Sequence, residues 1–251
     1  MKIFSDKHLT IKETWRASFH LYSKTFTHVW PQAVFIGITT AIVAWLSMHS
    51  SCKFDIQKLT IANSGCAFAN LIMLLLVIYL GGVVLYRIYV FGKGHTVTLQ
   101  DSFNLVGKRY LNLVGGVLLV TASCLLVGFL FLILPVILGV LCLISLGTFL
   151  LVAFIVVQPL ILLDNKGCFT ALRDSYNLVW GSWWHVFAIV IPLMLLNYII
   201  SYVVQFTAVR GGWWYGALGS AIIATFFYPL LYSCILILFN DLKLRHHTGG
   251  L

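Results

Sequence analysis

The sequence has 251 residues, of which 61% are hydrophobic and only 9% are charged, whereas about a quarter of the residues of a soluble domain carry a charge. The formal net charge of +9 comes from Lys and Arg in small groups beside apolar stretches, not from the clustered basic face that nucleic-acid binding needs. Composition and charge therefore argue against a soluble enzyme and a nucleic-acid-binding protein, and they predict a polytopic membrane protein.

The amino-terminal part of the chain predicts one amphipathic segment and two membrane spans. Residues Lys7 to Lys24 are charged and amphipathic, with apolar residues at helical spacing and no apolar core ahead of a cleavage site, so no cleavable signal peptide is expected. The spans are predicted from Thr27 to His49 and from Cys66 to Phe91, each near the ~20 residues that cross a bilayer. Arg87, near the end of the second span, is expected to reach the lipid headgroups.

The middle of the chain repeats this plan. Residues Val97 to Tyr110 predict a second amphipathic helix, and the run that follows, from Leu111 to Leu163, contains no charged residue. Because this run is more than twice the length of one span, it must fold back and cross the membrane twice. A turn near Gly147 is one alternative; we favour a turn at Pro135, which gives spans of about Leu111 to Leu134 and Leu138 to Leu162.

The segment from Cys168 to Trp184 predicts a third amphipathic helix that lies along the membrane surface. Its polar stripe contains Asp174 and Asn177, and its apolar stripe contains Phe169, Leu172, Tyr176, Val179 and Trp183. The fifth and sixth spans are expected from about Trp184 to Phe206 and from Gly216 to Phe239.

The predicted fold is therefore all-α, with six transmembrane helices arranged as three hairpins in one integral membrane domain covering residues 1–251. An amphipathic interfacial helix precedes each hairpin, and the units, about 7–91, 97–162 and 168–239, suggest a parallel pseudo-threefold repeat. Each amphipathic segment places a serine four positions after a small residue; the pairs are Thr14 and Ser18, Thr98 and Ser102, and Ala171 and Ser175. We interpret these small residues as packing positions.

The distribution of basic residues predicts the orientation. Of the sixteen Lys and Arg, only Lys53, Lys58 and Arg210 fall on the side opposite the termini. Cytoplasmic loops of membrane proteins carry the excess of basic residues. Both termini are therefore expected in the cytoplasm.

No catalytic, metal-binding or cofactor-binding motif is apparent, so the chain is not expected to be an enzyme and no cofactor or metal is predicted. Glu13 is the only glutamate and the aspartates are scattered, which leaves no pair of carboxylates for acid–base or two-metal chemistry. The neighbours His246 and His247 lie near the end of the sequence, where a defined metal site is not expected.

Polar residues inside the spans give the better indication of function, because burying an amide in hydrocarbon is costly without a partner. These residues are Asn70, Gln158, Asn197 and Gln205. One interpretation is hydrogen bonding between helices. The other is the wall of a polar or lipid-accessible cavity, for which Gln158 and Asn197 are the candidates.

Basic residues on the amphipathic segments predict contact with anionic lipid headgroups, and the candidates are Arg16, Lys108 and Arg173. The sequence favours a non-enzymatic membrane protein that organises or interacts within the envelope, with membrane lipid as a partner and with a membrane-protein partner or homo-oligomer left open. The alternative is a permease or lipid-handling protein with a cavity between the hairpins.

Two cysteines, Cys52 and Cys66, fall at the outer end of the first predicted hairpin. A disulfide between them is one expectation for an oxidising compartment. The alternative is that Cys66 is a small apolar residue at the start of its span.

The stretch from Val156 to Ile191 and the closing FNDLKLR resemble a bacterial inner-membrane family that includes the YciC-like proteins and the membrane domain of glycerophosphoryl diester phosphodiesterases. The matching residues are Pro159, Asp164, Ala171, Leu172, Ser175, Leu178, Val179, Gly181, Trp183 and Trp184, then Phe239, Asp241, Leu242, Lys243 and Arg245. The resemblance implies location in the bacterial inner membrane. In the phosphodiesterases a soluble catalytic domain follows the membrane domain; this sequence has none, so the resemblance implies no phosphodiesterase activity.

Overall fold

The computed structural model describes residues 4, 8–48, 61–131 and 136–248, without the side chains of residues 47, 48, 61–67, 127, 128, 130, 131, 136–144, 211, 213, 247 and 248. The described part is all-α. In chain order its helices are α1 (Ile11–Met48), α2 (Ile61–Gly92), α3 (Leu99–Phe131), α4 (Val136–Ala153), α5 (Val157–Leu163), α6 (Cys168–Trp180), α7 (Trp183–Gly211) and α8 (Trp213–Thr248).

Within these described residues, six helical stretches are long and apolar enough to cross a membrane. They are 11–46, 68–92, 99–126, 145–163, 183–210 and 214–246. The predicted all-α fold with six transmembrane helices is therefore confirmed, and the chain is a multi-pass membrane protein.

The first two amphipathic segments are not separate helices. Helix α1 has 38 residues and continues from the amphipathic segment into the first span without a break, and α3 does the same over 33 residues. The third segment differs, since α6 ends at Trp180 with Gly181 as its C-cap and α7 begins at Trp183. A separate amphipathic helix is present only at α6.

Helix α1 begins with a capping box, in which reciprocal hydrogen bonds satisfy two N–H groups of the first turn, and α3 begins with a threonine N-cap. At α1, the N–H of Thr10 donates to Glu13 Oε2 at 2.9 Å, and the N–H of Glu13 donates to Thr10 Oγ1 at 3.4 Å. At α3, the N–H of Asp101 donates to Thr98 Oγ1 at 3.1 Å. The single glutamate of the sequence therefore has a capping role.

Two described helices lie on either side of the predicted turn in the central hairpin. Helix α3 ends at Phe131 and α4 begins at Val136; Pro135 itself lies outside the described residues. The alternative turn near Gly147 is wrong, because Gly147 lies inside α4.

The fourth span is interrupted at residues 154–156, between α4 and α5. Pro159 has no N–H to donate to the preceding turn, which loosens the helix there. The N–H of Val157 bonds to the Phe154 carbonyl instead of continuing the α-helical ladder to Ala153. Ser175 Oγ on α6 donates to that Ala153 carbonyl at 2.7 Å. The buried serine thus supplies a hydrogen bond that the carbonyl does not receive from Val157.

The described chain groups into two compact units. The first contains residues 1–18, 98–191 and 234–251, and the second contains residues 19–97 and 192–233. We describe each unit separately below.

In the first unit, α6 packs through small residues. Ala171, Ser175 and Val179 are buried, whereas the aromatic residues Phe169 and Trp180 are 72% and 60% exposed. Of the apolar stripe predicted for this helix, only Val179 is buried. Close approach to neighbouring helices therefore uses the small face, as is common between membrane helices.

In the first unit, a polar cluster around Asp241 of α8 also includes Leu9 and His185. The Asp241 side chain is fully buried. Its Oδ1 accepts the Leu9 N–H at 2.8 Å, its Oδ2 accepts Arg245 Nε at 2.8 Å, and His185 Nε2 lies 3.3 Å from Oδ2. Arg245 Nη2 donates to the Leu9 carbonyl at 2.7 Å. This cluster fixes the residue that precedes the capping box of α1.

In the second unit, glycines allow α8 to approach its neighbours. A Cβ on Gly37 of α1 would lie 2.7 Å from the Ala221 carbonyl oxygen, and a Cβ on Gly219 would lie 2.5 Å from Val204 Cγ1 of α7. These distances are shorter than van der Waals contact, so no larger residue fits the backbone as it stands. The contacts hold α1, α7 and α8 together around the cavity described next.

Candidate functional site

The second unit contains a cavity of about 770 Å³ between α1, α7 and α8. This volume lies within the range of roughly 300–1,000 Å³ that is typical of small-molecule sites. Its walls are mainly apolar, with Val43 and Ala44 from α1 and Ile223, Phe227 and Leu231 from α8. The cavity lies towards the end of the unit where α7 ends and α8 begins.

A polar stripe on α7 lines one wall of this cavity. Asn197, Ser201 and Gln205 follow one another at intervals of four residues and therefore lie on the same face of the helix. Asn197 is at the middle of the 29-residue helix, and Gln205 is exposed at the surface. The stripe thus extends from the centre of α7 towards its carboxyl-terminal end, where Gln205 is exposed.

The hydrogen bonds among the described residues do not include these polar groups. Within the described part of the chain, neither amide nor the Ser201 hydroxyl makes a hydrogen bond, and the Tyr228 hydroxyl on the opposite wall makes none either. By contrast, Thr40 and Ser220 also line the cavity but donate to carbonyls of their own helices, Gly37 and Ala217, at 2.8 Å. An amide without a hydrogen bond in hydrocarbon costs several kcal/mol.

Another polar group of the same unit shows how such a cost is usually avoided. With its amide oriented to satisfy both polar atoms, the buried Gln32 accepts from Arg87 Nη1 at 2.9 Å and donates to the Val29 carbonyl at 3.0 Å. Arg87 also lies over the ring of Phe91, 5.3 Å from its centroid. Side chains of the same unit therefore bind Arg87. Its approach to the lipid headgroups stays a prediction.

Among the described residues of the cavity lining, none is Asp, Glu, Lys, Arg or His, so this part of the lining carries no formal charge. Its polar atoms are amides and hydroxyls, which can both donate and accept hydrogen bonds. The arrangement can hold a ligand that is apolar over most of its surface and that has a hydrogen-bonding group against α7.

Two cavities of the first unit have different linings. One, of about 530 Å³, has aromatic walls from Phe149, Trp180 and Trp184; its cation, Arg245, is already bound to Asp241 and Leu9. The buried Nε1 of Trp183 in this lining has no partner in the described residues, but one donor does not define a ligand.

The other cavity of the first unit measures about 300 Å³ and has a charged lining. Its charges pair with each other, since Lys243 Nζ lies 2.7 Å from Asp164 Oδ1 and Lys166 pairs with Asp174. A ligand would have to compete with these ion pairs. The cavity of the second unit is therefore the best candidate site.

The structure separates the two residues predicted as a cavity wall. Asn197 lines the cavity, whereas Gln158 is half-buried in α5 of the first unit and is not part of the lining. Gln205 lines the cavity with Asn197. Asn70 does not, although its buried Oδ1 has no hydrogen-bond partner within the described residues.

The three basic residues predicted to contact lipid headgroups, Arg16, Lys108 and Arg173, are all exposed. The serines near them, Ser18, Ser102 and Ser175, are fully buried. Of the small residues paired with these serines, Thr14 and Ala171 are buried, which agrees with the predicted packing role, but Thr98 is exposed and does not pack. Headgroup contact by the basic residues stays a prediction.

The predicted disulfide cannot be placed, because Cys52 and the side chain of Cys66 lie outside the described residues. Among the described residues there is no group of three or more His, Cys, Asp or Glu that could hold a metal ion.

Sequence reasoning missed Ser201 and Tyr228. The signal for Ser201 was present, since polar residues at positions 197, 201 and 205 interrupt an otherwise apolar helix on one face. Tyr228 had no such signal, because its place opposite α7 depends on how α8 packs.

Comparisons with family models, with curated proteins and with solved structures find no match to this chain.

Proposed function

We propose that this protein binds a membrane-resident amphiphile in the cavity between α1, α7 and α8, and that it acts as a lipid-handling protein or permease. The observation that carries the proposal is the Asn197 amide, which lies at mid-helix and lines a cavity of about 770 Å³ without a partner in the described residues. A bound amphiphile would supply the missing hydrogen bond and cover the apolar walls.

A second candidate is the envelope-organising role, in which the protein acts through its surface. The exposure of Arg16, Lys108 and Arg173 favours it, because each basic residue near an anionic leaflet contributes roughly 1 kcal/mol of attraction. This role needs no cavity and leaves the unpartnered amides unexplained, so we place it second.

Replacing Asn197 and Gln205 together by Leu tests the proposal. Losing about 1 kcal/mol for each hydrogen bond should reduce the lipid that copurifies with the protein by roughly ten-fold or more. The measurement is mass spectrometry of lipids extracted from protein purified in mild detergent. Gln158→Leu is the matched control, because it removes an amide from a membrane helix outside the cavity, and it should leave the retained lipid unchanged.

A third variant separates the two candidates. Reversing Arg16, Lys108 and Arg173 to Glu should leave the lipid in the cavity unchanged. If this variant loses the copurifying lipid while the Asn197 and Gln205 variant keeps it, the surface role replaces the cavity role.

We also propose that both termini are cytoplasmic and that the membrane is the bacterial inner membrane. The basic-residue distribution and the resemblance to the YciC-like family support this orientation and location. The cavity then opens in the outer half of the membrane, because Gln205 and Gly216 lie near the α7–α8 connection.

Reporter fusions test the orientation. Fusions after Lys93, Lys166 and Arg245 should report the cytoplasm, and a fusion after Arg210 should report the opposite side. A cytoplasmic signal after Arg210, with the other three unchanged, would contradict the proposed orientation of the cavity.

A further inference from the structure

The ligand class follows from the chemistry of the cavity, on the assumption that the proposed function is correct. The polar groups available to a ligand are the Asn197 and Gln205 amides and the hydroxyls of Ser201 and Tyr228. Each can donate a hydrogen bond and each can accept one, but none can neutralise a charge.

A charged headgroup would be poorly accommodated at this position. Asn197 lies at the middle of α7, and the described residues that line the cavity include no cationic side chain. Moving a phosphate or a carboxylate into such a site removes it from water without an opposite charge to compensate. An uncharged hydroxyl, ester or amide group avoids this penalty and satisfies the free amides.

Two arginines of the second unit, Arg87 and Arg210, lie outside the cavity lining and contact other side chains. Arg87 donates to Gln32 and lies over Phe91, and neither Arg87 nor Gln32 belongs to the cavity lining. The cationic Arg210 lies over the ring of Phe206, 4.3 Å from the centroid, and is also outside the lining.

We propose that the cavity selects an uncharged amphiphile, with a hydroxyl, ester or amide head that bonds to the polar stripe of α7 and with an aliphatic tail along the α1 and α8 walls. Anionic lipids of the same chain length are excluded by the absence of a cation. The specificity therefore resides in the head and not in the tail.

Two probes that differ only in head charge test this selection. Dioleoylglycerol and dioleoyl phosphatidic acid carry the same acyl chains, and their binding to the purified full-length protein in detergent is measured by native mass spectrometry. The wild type should bind dioleoylglycerol at least ten-fold more tightly than phosphatidic acid. Asn197→Leu should weaken dioleoylglycerol binding by about five-fold.

A charge introduced into the stripe should reverse the preference. Gln205→Lys places a cation at the exposed end of the stripe, where the long side chain can remain hydrated, and should bind phosphatidic acid at least as tightly as dioleoylglycerol. Gln205→Met is the matched uncharged control and should keep the preference for dioleoylglycerol.

The outcomes distinguish this inference from the proposed function. If phosphatidic acid binds the wild type as tightly as dioleoylglycerol and Asn197→Leu weakens both, the cavity binds lipid but does not select by charge, and only this inference is overturned. If neither probe binds, or if Asn197→Leu changes neither, the cavity is not a lipid site and the proposed function fails as well.

Discussion

Replacing Asp241 by Ala should destabilise the protein strongly, lowering its melting temperature by about 10 °C. Asp241 is fully buried and holds Arg245, His185 and the Leu9 N–H at 2.8–3.3 Å. Without the carboxylate, the Leu9 N–H loses its acceptor and the Arg245 guanidinium, which is 29% exposed, loses its ion pair. Breaking such a pair costs roughly 3 kcal/mol, and each kcal/mol lowers the melting temperature of a chain this size by about 2–4 °C.

The measurement is thermal unfolding in detergent, followed by the loss of the monodisperse peak in size-exclusion chromatography. Asp164→Ala is the matched control, since it also removes an aspartate that pairs with a basic residue of α8. The side chains of Asp164 and Lys243 are 22% and 36% exposed, so this pair should contribute at most about 1 kcal/mol. Equal decreases for the two variants would show that the Asp241 cluster is not the stabilising contact we describe.

Replacing Gly37 by Ala should also destabilise the protein, although alanine normally favours a helix. The added Cβ would lie 2.3 Å from Thr225 Oγ1 and 2.7 Å from the Ala221 carbonyl oxygen. The hydroxyl can rotate, but the backbone oxygen cannot move without displacing α8. Such overpacking costs about 1–3 kcal/mol, and the displaced helix should also reduce lipid retention, because Thr40, one turn along α1, lines the cavity.

Gly147→Ala is the comparison, because alanine at this position should not lower the stability of the protein. Nothing lies within 4 Å of a Cβ built at Gly147 inside α4, so the higher helix propensity of alanine should leave stability unchanged or raise it by up to about 1 kcal/mol. Thermal unfolding of the two variants measures the difference. A Gly37→Ala protein as stable as the wild type would contradict the close crossing of α1 and α8.

The sequence identifies some of the polar residues that line the cavity, but it does not show which of the predicted residues share one cavity. Asn197 and Gln205 were identifiable because an amide in an apolar span is costly and therefore informative. Asn197 has Ser201 and Gln205 on the same helix face, whereas Gln158 is a lone amide, yet this stripe by itself does not show that a cavity lies beside it. Only the packing of α1, α7 and α8 places Asn197 in a cavity wall and leaves Gln158 outside it.

The sequence by itself determined the number and approximate position of the membrane helices, because the length and hydropathy of a span are fixed by the thickness of the bilayer. Helix ends with local signals were also available to it, as with Glu13 at the start of α1 and Pro135 just before α4.

Only the tertiary structure decided which faces of the helices meet. Lipid is as apolar as a protein core, so the lipid-facing and the packed sides of a span differ little in sequence and the pattern of apolar residues does not mark the interface. Three features therefore depend on packing between distant segments. They are the small faces at Gly37 and Ser175, the hydrogen bond that the Ala153 carbonyl accepts, and the bond from Leu9 to Asp241, 232 residues away.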